Sequence, residues 1–365
     1  MFTPVRVWRC RKMLGTAASL GLVAAIFIFG LPRVASYRSA WVSIGLMTWP
    51  QALLVAVAAL ASFAASWLVI CAVLPSIRLP QAAVVNLGST AVANTLPAGG
   101  VLAMGVSWAM FSGWKVSTAD YILYTLVSGI WNVFARLGLP IIALLIIAIS
   151  GQSETGLLIG SAVGLAFLIA FVAGFWLMLH SESFARRISD WLQTALVFAC
   201  RLARRPQPSP RTASFCDFRD RAAGLIARRG WRITIATTAS NLALWLVLLA
   251  SVRGLGLSQA QVPWQTSLAA FAFVRLLTVL PITPGGAGIT ELGLVGTLAG
   301  GAGHGRAAQV TAAVLLYRAV TYLLPIPVGA LACLAWRCTP STRHRPRSAV
   351  GLREATPRHL YQTDA

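Results

Sequence analysis

The strongest constraint on this chain is a series of apolar runs, several of them 18 or more residues long. A run of that length crosses the bilayer core as a helix, and the chain is 57% hydrophobic with only 11% charged residues. Hydrocarbon offers no partner to a free backbone N–H or C=O, so a spanning segment must satisfy these groups internally. The runs are also much longer than the alternating strands of an outer-membrane barrel. The sequence therefore predicts an all-α polytopic membrane protein.

Two apolar stretches are broken in the middle by proline and glycine. The first covers residues 82–111 and the second covers Leu280 to Gly296. The breaks contain Pro97, Gly99 and Gly100 in the first stretch, and Pro281, Pro284, Gly285, Gly286 and Gly288 in the second. Each stretch is either one kinked span or two half-helices that enter and leave on the same side of the membrane. We predict the second arrangement, a re-entrant broken-helix hairpin, in both places.

Six full spans are predicted around these hairpins. They cover about Met13–Leu31, Gln51–Leu74, Tyr121–Ile149, Gly156–His180, Trp231–Val252 and Ala307–Trp336. The first run follows basic residues and has two interpretations, a signal peptide or a transmembrane helix; its length favours an uncleaved helix. We assign residues 1–337 to one helical membrane domain and residues 338–365 to a basic, disordered tail.

The formal net charge of +21 lies mostly in loops and tails beside the spans. In a soluble chain this charge would suggest nucleic acid, but here it follows the positive-inside rule, and no nucleic-acid partner is expected. Ten arginines fall between residues 181 and 230, which predicts a cytoplasmic segment there. With an even number of crossings, both termini are then cytoplasmic and the protein lies in the inner membrane.

The two breaks resemble each other, which suggests an internal repeat. TLPAGG at 95–100 and VLPITPGG at 279–286 both place Leu-Pro before a glycine pair. The half-repeats would cover residues 82–149 and 264–337. Three predicted crossings separate the hairpins, so the halves would be inverted, the arrangement in which transporters bind substrate near the midplane. Chance similarity between apolar segments is the alternative.

Four ionisable residues lie inside the apolar segments: Arg136, Arg275, Glu291 and Arg318. Three arginines and one glutamate leave an excess of positive charge, which suits a phosphate-bearing head group. Glu291 is expected to hold Arg275 or Arg318 in position, or to exchange a proton during transport. Alternatively, the four residues form ion pairs that only lock helices together.

The predicted site combines these charges with polar neighbours and with backbone N–H groups at the glycine breaks. Asn132 precedes Arg136 by four residues, as Ser128 precedes Asn132, so the three share one helix face. The head-group residues are Arg136, Arg275, Glu291, Arg318, Asn132, Gly99, Gly100, Gly285, Gly286, Gly288 and Tyr322, and the hinges are Pro97, Pro281, Pro284 and Pro325.

Enzymatic motifs are absent from the sequence. It contains no GxSxG, HExxH or Walker loop and no paired carboxylates, and its six cysteines lack metal-ligand spacing. We therefore predict neither an enzyme nor a metal or cofactor site. A lipid-linked transferase that relies on Glu291 alone is the enzymatic alternative.

The segment LPITPGGAGITELGLVG, preceded by FVRLLTVLP and followed by YRAVTYLLP, resembles the membrane region of the lysylphosphatidylglycerol synthase and flippase-like family. The PGGxGxxE pattern of that family is met by Pro284, Gly285, Gly286, Gly288 and Glu291. The full-length synthases carry a soluble aminoacyl-transferase domain after this region, whereas fewer than 30 residues follow Trp336 here. The resemblance thus implies translocation without synthesis.

The expected function is translocation of an anionic or phosphate-bearing polar lipid across the membrane. A lysyl-lipid fits less well, because its positive charge would meet an arginine-rich site. The alternative function is a non-transporting accessory protein that serves enzymes of a lipid, glycolipid or hopanoid pathway.

Overall fold

The computed structural model describes residues 47–96, 99–149, 212–278, 286–300 and 304–338, with further helical positions at 45 and between 165 and 177. All regular structure in these ranges is helical, which confirms the all-α prediction. The helices are α1 (Trp49–Val73), α2 (Leu79–Thr95), α3 (Gly99–Gly113), α4 (Thr118–Ile149), α5 (Thr212–Gly254), α6 (Trp264–Leu277), α7 (Ile289–Leu298), α8 (His304–Arg318) and α9 (Pro325–Cys338); a π-helical segment, Ala319–Leu323, joins α8 to α9.

Four described helices are long and apolar enough to cross a membrane. They are α1, α4, the Asp220–Gly254 part of α5, and the continuous Arg306–Cys338 helix that includes the π segment. These correspond to four of the predicted spans. The predicted spans 13–31 and 156–180 lie wholly or largely outside the described residues, as do the segment 181–211 and the tail after residue 338.

Proline and glutamine mark the start of the first two helices. Pro50 and Pro80 occupy the first turns of α1 and α2, where a missing N–H costs no hydrogen bond. One residue later, Gln51 accepts a hydrogen bond from the Thr48 N–H at 2.8 Å, and Gln81 accepts one from the Arg78 N–H at 2.9 Å. Each glutamine therefore satisfies a backbone donor that the helix itself leaves open.

The first broken stretch is two helices, α2 and α3, which pack against each other. A Cβ atom on Gly99 would overlap the carbonyl group of Ala93, so only glycine allows α3 to begin this close to the end of α2. The predicted division of residues 82–111 is thus observed, while entry and exit on one membrane face stays a prediction. Pro97 lies outside the described residues, and so do Pro281, Pro284 and Gly285.

Two spans differ from their predicted form. Helix α5 begins at Thr212 rather than near Trp231, since residues 211–254 contain no proline and the alanines and arginines at the start of this segment favour helix. The last span is interrupted by the π segment directly before Pro325. Pro325 and Pro327 lack an N–H, which removes two donors from the helix and favours a wider turn at this point.

The packing brings distant helices together in pairs. Helix α1 packs along α5, α2 packs along α9, and α4 packs along α6. The contact between α2 and α9 is especially close, because a Cβ on Gly329 would lie 2.7 Å from the Ala91 Cβ. A buried apolar cluster that includes Leu248, Phe271 and Leu294 holds α5, α6, α7 and α8 together. These contacts leave a polar space between the helices.

Candidate functional site

A polar cavity of about 340 Å³ lies between α1, α2, α4, α5, α6 and the π segment. This volume is within the range of about 300–1,000 Å³ that is typical of small-ligand pockets. Its polar lining consists of Ser62, Ser66, Asn86, Thr90, Tyr124, Ser128, Asn132, Arg136, Ser240, Asn241, Arg275 and Thr321. Among the described lining residues there are two arginines and no carboxylate. The cavity is therefore electropositive.

The polar stripe of α4 faces this cavity, as its four-residue spacing predicts. Ser128, Asn132 and Arg136 all line it. The Ser128 hydroxyl donates to the Tyr124 carbonyl at 2.6 Å and so also satisfies its own helix. The buried Nε of Arg136 has no hydrogen-bond partner among the described residues. A buried guanidinium with an open donor favours an anion beside it.

Arg275 reaches the same cavity from the last turn of α6. Its Nη2 donates to Oδ1 of Asn241 at 3.2 Å, and its guanidinium carbon lies 5.9 Å from the centre of the Phe271 ring. Asn241 is itself held by α5, because its Nδ2 donates to the Thr237 carbonyl at 2.9 Å. The buried Nε of Arg275 has no partner in the part of the chain that the structure describes. Asn241 thus orients Arg275 and leaves a donor for a ligand.

Glu291 lies in a tight turn at the start of α7 rather than in the large cavity. Gly286 and Gly288 have φ angles of 68° and 84°, a conformation that favours glycine, and Gly288 is the N-cap of the helix. Glu291 accepts a hydrogen bond from the Gly288 N–H at 2.6 Å through Oε2 and one from Arg318 Nε at 2.6 Å through Oε1. Its side chain is only 3% exposed. Of the two predicted arginine partners, Arg318 is the one that contacts Glu291.

Arg318 is also connected to the first break. Its guanidinium carbon lies 4.3 Å from the centre of the Tyr322 ring, a cation–π distance. The Tyr322 hydroxyl donates to the Asn94 carbonyl at 2.7 Å, and Asn94 Nδ2 donates to the Tyr322 carbonyl at 3.0 Å. Asn94, Tyr322, Arg318, Glu291 and Gly288 form a series that we call the inter-break network. It joins the end of α2 to the start of α7.

The predicted site residues therefore fall into two groups. Asn132, Arg136 and Arg275 line the large cavity. Glu291, Arg318 and Tyr322 belong to the inter-break network, and a smaller cavity of about 50 Å³ beside it is lined by Arg275 and Arg318. Arg275 lines both cavities and so connects the two groups.

The glycines and the last hinge have separate places. Gly286 and Gly288 shape the turn before Glu291, and Gly99 allows close packing of α3 on α2. Gly100 is exposed, and the space at its Cβ position is open. Pro325 begins α9.

In a regular α-helix, Arg318, Thr321, Tyr322 and Pro325 would share one face, because they are spaced three or four residues apart. The π segment changes this register, because it adds a residue to one turn. Thr321 lines the large cavity, whereas Arg318 lines the smaller one and stacks on Tyr322. The last span therefore contributes to both sites.

Several lining residues were not identified from the sequence, although their spacing carries the same signal as the α4 stripe. Ser62 and Ser66 on α1, and Asn86 and Thr90 on α2, are pairs four residues apart on apolar helices. Their positions on one face of each helix indicate a shared polar surface. Ser240 and Asn241 follow Thr237 by three and four residues on α5, which is the same kind of spacing, although Thr237 does not line the cavity.

Comparison with known protein families matches residues 8–329 to the lysylphosphatidylglycerol synthase TM region. The match confirms the resemblance and covers both breaks, the cavity and the inter-break network. A search of curated proteins gives no match for the chain. Because the family match extends over most of the 365 residues, the chain belongs to the family defined by the lysylphosphatidylglycerol synthase TM region.

Proposed function

We propose that this protein binds the phosphate of a polar lipid in the large cavity and passes the lipid between the leaflets of the inner membrane. The observation that carries the proposal is the pair of arginines, Arg136 and Arg275, in a cavity whose described lining includes no carboxylate. Membership of a family named for the membrane region of a lipid synthase supports a lipid as the ligand.

Electrostatics favours an anion at this position. Burying a guanidinium within apolar helices is costly unless a negative group compensates it. Glu291 does not serve Arg136 or Arg275 in the large cavity, because it does not line that cavity and forms its ion pair with Arg318. A phosphate that bridges Arg136 and Arg275 would supply the missing charge. Arginine suits this role, since its planar fork matches two phosphate oxygens.

The packing of the helices supports two related halves around the cavity. Helices α1 and α5 each precede a break, and they pack together. The first helix of each hairpin packs on the final span of the other half, α2 on α9 and α6 on α4. We infer from this reciprocity an inverted repeat of α1–α4 and α5–α9 with re-entrant hairpins. In such transporters the site lies between the halves, and rocking of one half against the other exposes it to either side.

We assign the inter-break network a positioning role in this cycle. It connects Asn94 at one break with Gly288 at the other, so movement of one hairpin is transmitted to the other. Glu291 is the anchor of Arg318 in this scheme rather than a proton carrier. No covalent chemistry is required, and both termini face the cytoplasm as the basic segments indicate.

A reconstituted system tests the proposal. The purified protein is inserted into liposomes that contain phosphatidylglycerol with a fluorescent acyl chain, and dithionite quenching measures the lipid that reaches the outer leaflet. Arg136→Ala and Arg275→Ala should each reduce the rate at least about tenfold, since removing a charged hydrogen-bond partner costs roughly 1.5–3 kcal/mol.

Arg228→Ala is the matched control, because Arg228 is an exposed arginine of α5 that does not line the cavity. It should keep the wild-type rate. Wild-type rates in both cavity variants would rule out this cavity as the translocation site.

A further inference from the structure

The charge of the large cavity is distributed unevenly over its walls. Both arginines come from α4 and α6, which pack against each other. The described lining residues from α1, α2 and α5 are all uncharged, and their polar members are Ser62, Ser66, Asn86, Thr90, Ser240 and Asn241. The cavity thus has a cationic wall and a neutral hydrogen-bonding wall.

Part of the neutral wall is already committed within the protein. Ser66 Oγ donates to the Ser62 carbonyl at 3.0 Å, and the Ser240 hydroxyl lies 3.0 Å from Ser66 Oγ. Asn241 is occupied by Arg275 and by the Thr237 carbonyl. These contacts fix α1, α5 and α6 to each other. They shape the wall but leave few free donors on it.

Two amides are not committed in this way. The side chains of Asn86 on α2 and Asn132 on α4 both line the cavity, and neither makes a hydrogen bond with another described residue. A primary amide offers two N–H donors and one carbonyl acceptor. That combination matches neighbouring hydroxyl groups, which both donate and accept. An ammonium group, by contrast, only donates and carries a positive charge, so a carboxylate matches it best, and the described lining includes none.

We infer, on the basis of the proposed function, that the cavity selects a lipid whose phosphate carries a neutral, hydroxylated head group. The phosphodiester binds Arg136 and Arg275, and the hydroxyls bind the amides of Asn86 and Asn132. Lipids with an ammonium group are rejected, because that positive charge would be desolvated near two arginines, which already share the phosphate, and the described lining offers it no carboxylate. The lysyl-lipid named in the family description falls in the rejected class.

Translocation of three fluorescent lipids tests this selectivity. Phosphatidylglycerol carries hydroxyls, phosphatidylethanolamine carries an ammonium group, and lysyl-phosphatidylglycerol carries two. In the reconstituted protein, phosphatidylglycerol should move at least about tenfold faster than either amine-bearing lipid, a ratio that corresponds to about 1.4 kcal/mol. Equal or faster movement of an amine-bearing lipid, with a rate that still depends on Arg136, would overturn the selectivity and leave the proposed function standing. Loss of Arg136 dependence for every lipid would instead overturn the proposed function.

Soluble competitors separate recognition of the head group from recognition of phosphate alone. Glycerol phosphate should inhibit phosphatidylglycerol movement at concentrations about tenfold lower than inorganic phosphate at equal ionic strength. Equal inhibition by the two would overturn the role of the hydroxyls.

Charge substitutions in the neutral wall provide the sharpest comparison. Asn86→Asp should lower the rate for phosphatidylglycerol and raise the rate for phosphatidylethanolamine, so that their ratio falls at least about tenfold. Ser112→Asp adds the same charge at an exposed position outside the cavity and should leave the ratio unchanged.

If Asn86→Asp does not fold, as judged by thermal unfolding, Asn86→Leu replaces it in the same assay. Phosphatidic acid lacks the head-group glycerol and should move more slowly than phosphatidylglycerol in the wild-type protein. Asn86→Leu should bring these two rates together, because the amide no longer contacts the glycerol. An unchanged ratio in the folded variant would overturn the inference.

Discussion

Tyr322 and Asn94 exchange two hydrogen bonds although they lie 228 positions apart in the sequence. The Asn94 amide donates to the Tyr322 carbonyl, within the π segment of the last span. The Tyr322 hydroxyl donates to the Asn94 carbonyl at the end of α2. Each residue thus satisfies a backbone group of the other, and the first break is fixed to the last span.

Removal of the Tyr322 hydroxyl should uncouple the breaks with little loss of stability. Tyr322→Phe keeps the ring that stacks on Arg318 and loses one hydrogen bond, which contributes about 1 kcal/mol to the free energy of unfolding. So small a loss of stability leaves the protein folded. We nevertheless expect the liposome translocation rate of Tyr322→Phe to fall, because the two breaks are no longer coupled through this hydroxyl. Tyr121→Phe is the matched control, because the Tyr121 hydroxyl donates to the Met104 carbonyl at 2.6 Å outside the inter-break network. Equal translocation rates in the two variants would contradict the coupling.

The Glu291–Arg318 pair should behave as a unit in a double-mutant cycle. Glu291→Gln removes the carboxylate from the buried pair that Glu291 forms with Arg318, and the loss of one member of such a pair costs roughly 3–5 kcal/mol of unfolding free energy. The double variant Glu291→Gln/Arg318→Gln should be more stable than the sum of the single variants predicts, as measured by denaturant titration in detergent. Strict additivity would mean that the two residues do not depend on each other.

Asp120→Asn gives the baseline for loss of a carboxylate. Asp120 is exposed at the start of α4 and accepts a hydrogen bond from the Ser117 hydroxyl at 2.7 Å. Its replacement should cost less than about 1 kcal/mol, since an exposed pair contributes little.

Any side chain at position 329 should destabilise the protein. A Cβ at this position would overlap the Leu87 carbonyl group and approach the Ala91 Cβ, so Gly329→Ala must push α9 away from α2. Overpacking of this kind typically costs about 1–3 kcal/mol and should lower the melting temperature in detergent. Gly296→Ala is the control on α7, where nothing lies within 4 Å of the new atom. That variant should be neutral or more stable, by up to about 1 kcal/mol, because alanine favours helix. Similar melting temperatures for the two variants would disprove the close contact.

Arg253 should hold the loop between α5 and α6. Its guanidinium donates to the Leu257 carbonyl at 2.8 Å, the Gln259 side chain at 2.6 Å and the Val262 carbonyl at 2.8 Å. Lysine cannot reproduce this fork, so Arg253→Lys should cost about 1–2 kcal/mol and speed amide hydrogen exchange in residues 255–263. Arg228→Lys, on the exposed surface of α5, should change neither quantity. Unchanged exchange in Arg253→Lys would show that the loop is held by other contacts.

Features that depend on nearby residues were predictable from the sequence. The α4 stripe is one example, because polar side chains four residues apart on an apolar helix must share a face, and that face lines the cavity. The division at Gly99 is another, since a proline followed by a glycine pair favours a break in a helix. Four membrane-spanning helices were likewise predictable from the length and hydropathy of their apolar runs.

Features that depend on tertiary contacts were not predictable. Both Arg275 and Arg318 were open as partners of Glu291, and the choice depends on how α8 packs beside the Gly288 turn. The division of the charged residues between two cavities has the same origin. The extended start of α5 was not predicted for another reason: the arginines between residues 181 and 230 were used only to place the segment in the cytoplasm, although arginine is also a good helix former.

The π segment of the last span has a geometric consequence for the whole helix. One extra residue rotates every later side chain by about 100° relative to a continuous α-helix. Thr321, within the segment, lines the large cavity, and Arg318, directly before it, contacts Glu291. The five residues Ala319–Leu323 therefore change the rotational register of the last span, so that α8 and α9 can each face different neighbours. Deletion of a single residue from this segment would therefore rotate α9 relative to α8 and move its side chains away from their present neighbours.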